Sequence, residues 1–314
     1  MSPLAENPAP AVVAAVIGLG SMGLGMARSM KRAGLDVVGY DITPAAVDRF
    51  VAEGGRGAAT PAGAAEGADI VVSVVVNGAQ TEAVLFGPEG VAKTMKPGAV
   101  FVSSATMDPA VARDLSQRTE ALGLNYLDAP ISGGAAKAAS GALTIMASGS
   151  MQAFDAARPG LDAMAGKVYE LGDAAGTGAA FKMINQLLAG VHIAAACEAI
   201  TFAARQGLDL NKVYEVITAS AGNSWMFENR VPHVLAGDYT PLSSIEIFVK
   251  DLGIVQDMAR CERYPVPLAA AALQMYLAAA GAGMGRDDDS SLARLYAQLS
   301  GTQLPGGAKE PQSL

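Results

Sequence analysis

Seven short runs rich in valine, isoleucine and small apolar residues alternate with helical stretches as far as Leu171, and no eighth follows. That alternation builds a parallel sheet, because each strand must return to the same edge through a helical crossover. The runs cover 11–17, 36–40, 70–76, 99–103, 125–128, 142–148 and 167–171, and the last two are expected to continue the sheet formed by the others. Helices are expected near Met22, Pro44, Pro61, Thr81 and Pro109, three of them opening on a proline whose missing N–H costs nothing there. From Gly172 to Leu299 only helical patterning remains, broken at 207–209, 236–238 and 264–267. The pattern predicts a mostly parallel, doubly wound α/β domain over 11–174 and an all-α domain over 175–302, linked by a long helix, with flexible tails at 1–10 and 303–314.

At 314 residues the chain is long enough for two cores. A net charge of −8, with lysine and arginine scattered singly, leaves no basic stripe to neutralise phosphates and argues against a nucleic-acid partner. Two cysteines, Cys197 and Cys261, are too few for a disulfide framework and fit a reducing, cytoplasmic setting. The N-terminus lacks the basic patch and apolar core of a signal peptide. The most membrane-like run, 267–285, is mostly alanine and glycine and is read as a tightly packed buried helix, so no membrane partner is expected. Two separated histidines give no metal-ligand cluster.

The first run leads into Gly18-Leu19-Gly20-Ser21-Met22-Gly23, a G-x-G-x-x-G that opens a helix. Its glycines allow a tight turn, close backbone approach to a pyrophosphate, and close packing of helix on strand. A strand before it, a helix after it and Asp41 at the end of the next strand make this a Rossmann dinucleotide site. A carboxylate at position 41 accepts from the adenosine ribose hydroxyls and repels a 2′-phosphate, and Ile42 and Thr43 follow it rather than an arginine, so the cofactor is read as NAD. An ordinary cap for the helix near Pro44 is the competing role of Asp41. Val75 and Val76, and the segment ending at Thr106, stand at strand ends where such sheets bind ligands.

Lys182 is the only permanently charged side chain between Ala174 and Cys197. A buried ammonium finds partners or loses its proton, which makes Lys182 a candidate for acid/base work. On a helix it shares a face with Asn185 and Gln186. Earlier, Asp128-Ala-Pro-Ile-Ser-Gly-Gly134 ends a strand and offers the Ser132 hydroxyl with the amides of Gly133 and Gly134, a cradle suited to a carboxylate. The competing readings are a structural ion pair for Lys182 and a plain turn for the Ser-Gly-Gly segment.

These motifs, with Gly176-Thr-Gly-Ala-Ala-Phe-Lys-Met-Ile-Asn-Gln186 and Lys250-Asp251-Leu252, resemble in order and spacing the β-hydroxyacid dehydrogenases, the family of 3-hydroxyisobutyrate dehydrogenase and tartronate semialdehyde reductase. The resemblance implies a Rossmann domain followed by a helical domain that assembles dimers or tetramers. It implies catalysis by Lys182, a carboxylate loop at Ser132, Gly133 and Gly134, and cofactor contacts from Thr106 and Lys250. Where the family often has two asparagines after the lysine, this chain has Asn185-Gln186, which bears on substrate shape rather than reaction type. Two further stretches, 185–196 and 220–233, are similar to a branch that oxidises the C2 hydroxyl of a four-carbon sugar acid with NAD. A trihydroxy acid needs polar partners, for which Gln186, Asn223, Ser224 and Trp225 are candidates. Oxidation of another small acid, of hydroxyisobutyrate or tartronate type, is the alternative within the family, and a non-catalytic NAD sensor is the alternative outside it.

Overall fold

The computed structural model describes residues 12–305. Ala11, the tail expected at 1–10 and residues 306–314 of the tail expected at 303–314 lie outside the described residues, and 303–305 carries no regular structure. The described residues separate into two compact units that divide between Lys182 and Met183.

In the first unit, β1 (Val13–Ile17), β2 (Asp36–Tyr40), β3 (Arg56–Gly57), β4 (Ile70–Ser73), β5 (Val100–Ser103) and β6 (Asn125–Asp128) pair in the order β3-β2-β1-β4-β5-β6, every pair parallel. The order reverses between β1 and β4, where crossovers leave in opposite directions and open a crevice at the strands' carboxyl ends. β4 and β5 are buried along their whole length, which is why they read as continuous apolar runs rather than alternating ones. One face of the sheet packs with Met26, Met30, Leu127 and Phe154, the other with Phe101, Leu115 and Tyr126.

Helices α1 (Gly23–Arg32), α2 (Pro44–Ala52), α3 (Pro61–Ala65) and α5 (Pro109–Glu120) begin at or next to their expected starts. The run 70–76 stops as a strand at Ser73, and α4 (Gly78–Phe86) starts earlier than Thr81 because Asn77 caps it, accepting from the Gln80 N–H. β3 has no β-branched residue to announce it.

The last two runs do not continue the main sheet. They form β8 (Leu143–Ala147) and β9 (Ala165–Glu170), on either side of α7 (Met151–Met164), in a separate three-stranded sheet with β7 (Ile131–Ser132), which is antiparallel to β8. A single bridge, Asp128 with Ser148, touches the end of β6. Pro130 has no N–H with which to extend that ladder, and the chain turns into β7, which takes β8 as partner.

α8 (Thr177–Arg205) spans the division between the units. The second unit continues with α9 (Leu210–Thr218), α10 (Trp225–Ala236), α11 (Ile245–Cys261), α12 (Pro267–Ala279) and α13 (Leu292–Ser300) around Ile193, Ile200, Phe227, Phe248, Leu252 and Tyr276. Arg230 of α10 and Asp289, both buried, form an ion pair at the approach to α13. The run 267–285 is less enclosed than its composition suggested. α12 buries Ala269, Ala272, Tyr276 and Ala279 but exposes Leu268 and Leu277, since only one face meets other described helices. By length and composition alone, α8 and the run 267–284 are apolar enough to cross a membrane.

Candidate active site

The glycine loop lies at the carboxyl end of β1, beside the segment that leaves β4. Gly18 adopts φ +97°, and a Cβ there would come within 2.7 Å of the Val74 carbonyl oxygen. A Cβ at Gly23 would overlap the Gly18 carbonyl at 1.8 Å, so α1 can close on the turn only through glycine. Gly20 has nothing within 4 Å of its missing Cβ, leaving open surface over the loop. The residue preceding α1, Met22, supplies no side-chain cap to its first turn. A tight turn, open backbone and an uncapped helix start together fit a pyrophosphate.

Asp41 follows β2. Its two carboxylate oxygens accept from Leu19 N–H at 2.7 Å and Thr43 N–H at 2.8 Å. The carboxylate therefore braces the glycine loop as well as standing where a ribose would be read. It does not cap α2, whose N-cap is Thr43. Ser21 is exposed, Leu19 is buried, Val75 is half-buried and Val76 is exposed, and the Val76 N–H donates to Gln80 Oε1. Thr106, half-buried, lies just past β5, at the same sheet edge.

The same unit brings Lys182 to the Ser-Gly-Gly segment. The Lys182 ammonium donates to the Ile131 carbonyl at 2.8 Å, one residue before Ser132, and the side chain is buried. This juxtaposition depends on how α8 is anchored. Asp128, fully buried, accepts through Oδ2 from Gly176 N–H at 2.9 Å and Ala179 N–H at 2.8 Å, and Ser148 Oγ accepts from Gly178 N–H at 2.9 Å. Burial raises the Asp128 carboxyl to about 6, against the pull of those backbone donors. Gly178 allows the contact, since a Cβ there would lie 2.3 Å from the Met146 carbonyl oxygen. Past the Ser132 hydroxyl, Gly133 (φ +135°) and Gly134 (φ +75°) lead into a helix the sequence did not announce, α6 (Gly134–Ser140).

In the second unit a chain of polar contacts links Asn185, Gln186, Asp251 and Lys250. Asn185 Nδ2 donates to Gln186 Oε1 at 3.0 Å, Gln186 Nε2 donates to Asp251, and Lys250 pairs with the other Asp251 oxygen. Gln186 and Asp251 are both buried. Sequence reasoning gave Asp251 no role, although its signal was present: an acidic residue on the apolar face of α11 between Phe248 and Val255. Asn223 and Ser224 lie elsewhere in this unit, with His192, along an apolar cavity of about 880 Å³. Ser224 caps α10, the Asn223 amide donates to Thr218 and Glu228, and Trp225 is exposed. A second cavity, of about 750 Å³, lies in the first unit and is lined by Gly98, Arg113, Asn125 and Ala175 among others.

Residues 13–172 match the model of the NAD binding domain of 6-phosphogluconate dehydrogenase, and 176–296 match that described as NAD-binding of NADP-dependent 3-hydroxyisobutyrate dehydrogenase. The chain is 53% identical to L-threonate dehydrogenase of Cupriavidus necator over 94% of this chain and 98% of that protein. It is 49% identical to L-threonate dehydrogenase of Escherichia coli K12 over 93% and 96%. Among solved structures, a 3-hydroxyisobutyrate dehydrogenase from Salmonella typhimurium superposes with a TM-score of 0.87 at 51% identity, over 90% of this chain and 99% of that one. With the glycine loop at the sheet reversal and matches of this extent, the chain belongs to the β-hydroxyacid dehydrogenase family and is an NAD-dependent hydroxyacid oxidoreductase.

Proposed function

We propose that this enzyme oxidises the C2 hydroxyl of L-threonate to give 2-dehydro-L-erythronate. The observation that carries the proposal is the Lys182 ammonium held on the Ile131 carbonyl, next to the Ser132 hydroxyl and the Gly133 and Gly134 amides. A proton-transfer group and a carboxylate cradle thus adjoin in one unit. Bound NAD supplies the hydride acceptor. In this reading Lys182, as the neutral amine, takes the hydroxyl proton as the carbinol C–H bond breaks, and the resulting ammonium returns it to the forming alkoxide in the reverse direction. Ser132, Gly133 and Gly134 hold the substrate carboxylate, and Asn185 and Gln186 meet its hydroxyls. The glycine loop, Asp41, Val75, Val76, Thr106 and Lys250 serve the cofactor.

Threonate is favoured over hydroxyisobutyrate by the names of the relatives at 49–53% identity and by the Asn185–Gln186–Asp251 chain. A polar chain of this kind offers partners to the additional hydroxyls of a trihydroxy acid, and a site built to bond hydroxyls rejects an analogue that lacks them. The solved relative from Salmonella, named for hydroxyisobutyrate at 51% identity, keeps that second substrate in the test. NADH formation over threonate, erythronate, 3-hydroxyisobutyrate and tartronate, with NAD and NADP in parallel, is expected to give the highest kcat/KM for L-threonate with NAD. A higher value for hydroxyisobutyrate, or equal use of NADP, would refute the corresponding assignment.

Assembly into a homodimer or homotetramer through the helical domain is part of the same proposal. Leu188, Ala195 and Phe202 recur at seven-residue spacing along α8 and are exposed, as is Ile184. An apolar stripe of that kind marks an association surface. Sedimentation velocity should report a dimer or tetramer for the wild type and a lighter species for Leu188→Glu with Phe202→Glu; a monomeric wild type would dismiss the idea. A cytoplasmic setting accords with two unpaired cysteines, one buried and one exposed, and fractionation of the producing cell would test it.

A further inference from the structure

Lys137 stands in the first turn and a half of α6, three residues past the Ser132–Gly134 segment, and its side chain folds back over that segment. A Cβ at Gly133 would lie 2.8 Å from Lys137 Cδ, 3.0 Å from its Cβ and 3.3 Å from its Cγ, so the lysine stem covers the face of Gly133 where a side chain would otherwise be. Among the described residues, no carboxylate or carbonyl accepts from Lys137 Nζ, and the residue is exposed.

The helix beneath it is held firmly. Gly25 of α1 lets the Ala138–Ala139 backbone approach closely, since a Cβ there would come within 2.7 Å of Ala139 N. Ser29 Oγ donates to the Ala138 carbonyl at 2.9 Å, and Arg32 donates to the Ala139 carbonyl at 3.0 Å. These contacts tie α6, and with it the position of Lys137, to the helix that follows the glycine loop. The Ser-Gly-Gly segment is therefore flanked by two lysines of the same unit: Lys182, bonded to the Ile131 carbonyl, and Lys137, laid over Gly133.

We infer that Lys137 is a substrate-binding residue whose ammonium closes on the carboxylate of the hydroxyacid held by Ser132, Gly133 and Gly134. The inference rests on the proposed carboxylate role of that segment. The chemistry is a charge-assisted hydrogen bond from a flexible ammonium, which leaves the amides and hydroxyl of the segment to fix orientation while Lys137 supplies charge. It also gives glycine at 133 a second requirement besides its positive φ: any side chain there would displace the lysine stem.

The test uses Lys137→Met, which keeps the stem and removes the charge, with Lys137→Arg as the conservative partner. Steady-state oxidation of L-threonate by Lys137→Met is expected to show KM for the acid raised roughly 10- to 100-fold, with kcat less affected and KM for NAD unchanged. Lys137→Arg should recover most of the loss. Competitive inhibition by a small hydroxyacid and by its uncharged amide gives the decisive comparison. Wild-type enzyme should prefer the acid, and Lys137→Met should lose most of that preference. An equal loss for acid and amide, or a rise in KM for NAD instead, would overturn the assignment. If wild-type enzyme shows no preference for acid over amide, the carboxylate reading of the Ser-Gly-Gly segment fails, which is a different result from failure at Lys137 alone.

Discussion

Lys182→Ala is expected to lower kcat for hydroxyacid oxidation by a factor on the order of 10² to 10⁴, the range general acid/base groups contribute, while NAD binding holds. The glycine loop, its brace at Asp41 and the β1–β4 reversal contain no atom of Lys182, so the dinucleotide surface should survive the truncation. The buried ammonium donates to the Ile131 carbonyl, a charge-assisted bond of about 1.5–3 kcal/mol net, so the melting temperature should fall by several degrees while the fold survives. A structural ion-pair role predicts the opposite balance: marked loss of stability with residual turnover in proportion to folded enzyme. Stopped-flow or steady-state kinetics beside NADH fluorescence titration and thermal melts separates the two, and near wild-type turnover would end the proton-relay reading.

What could be read from the chain before its structure was local. The glycine loop, Asp41 and the strand runs reveal themselves through spacing, and the isolated charge of Lys182 stands out against its neighbours. Contacts made across long stretches of chain left no such trace. Asp128 accepts from residues 48 and 51 positions away, and Gln186 meets Asp251 at a separation of 65. Neither partner is implied by the composition around the other. The second sheet shows the same limit: apolar runs disclose that 142–148 and 167–171 are extended, but partner choice was settled by Pro130 and the turn into β7. Lys137 escaped notice because an exposed lysine in an alanine-rich stretch reads as solvated surface, and only the fold lays its stem across Gly133.

Asp128→Ala should cost about 2–3 kcal/mol of stability at pH 5, because Gly176 and Ala179 N–H groups would be left buried without their acceptor. Those two bonds fix the start of α8, and Lys182 sits one turn beyond Ala179, so activity should fall along with stability. Asp128→Asn keeps the shape and the acceptor for Gly176 and Ala179 while removing the titration, and its added amide donors change stability by an amount that does not depend on pH. In the wild type the carboxyl is raised from its ordinary value near 4 to about 6, with burial the foremost cause. Its contribution to stability is therefore complete below the unfolded value and is lost as pH rises through about 6, where the folded protein must ionise a buried group. The full effect is on the order of 3 kcal/mol. Asp289, also raised to about 6 by burial against the attraction of Arg230, titrates in the same window but is present in both proteins and cancels in the comparison. Urea melts at pH 4, 5, 6 and 7 should thus show Asp128→Asn gaining on wild type as pH increases, by roughly 1–3 kcal/mol across the range. A flat difference would mean that the carboxyl titrates normally in the fold, and a difference running the other way would mean that the donors at the start of α8 outweigh burial and hold it ionised.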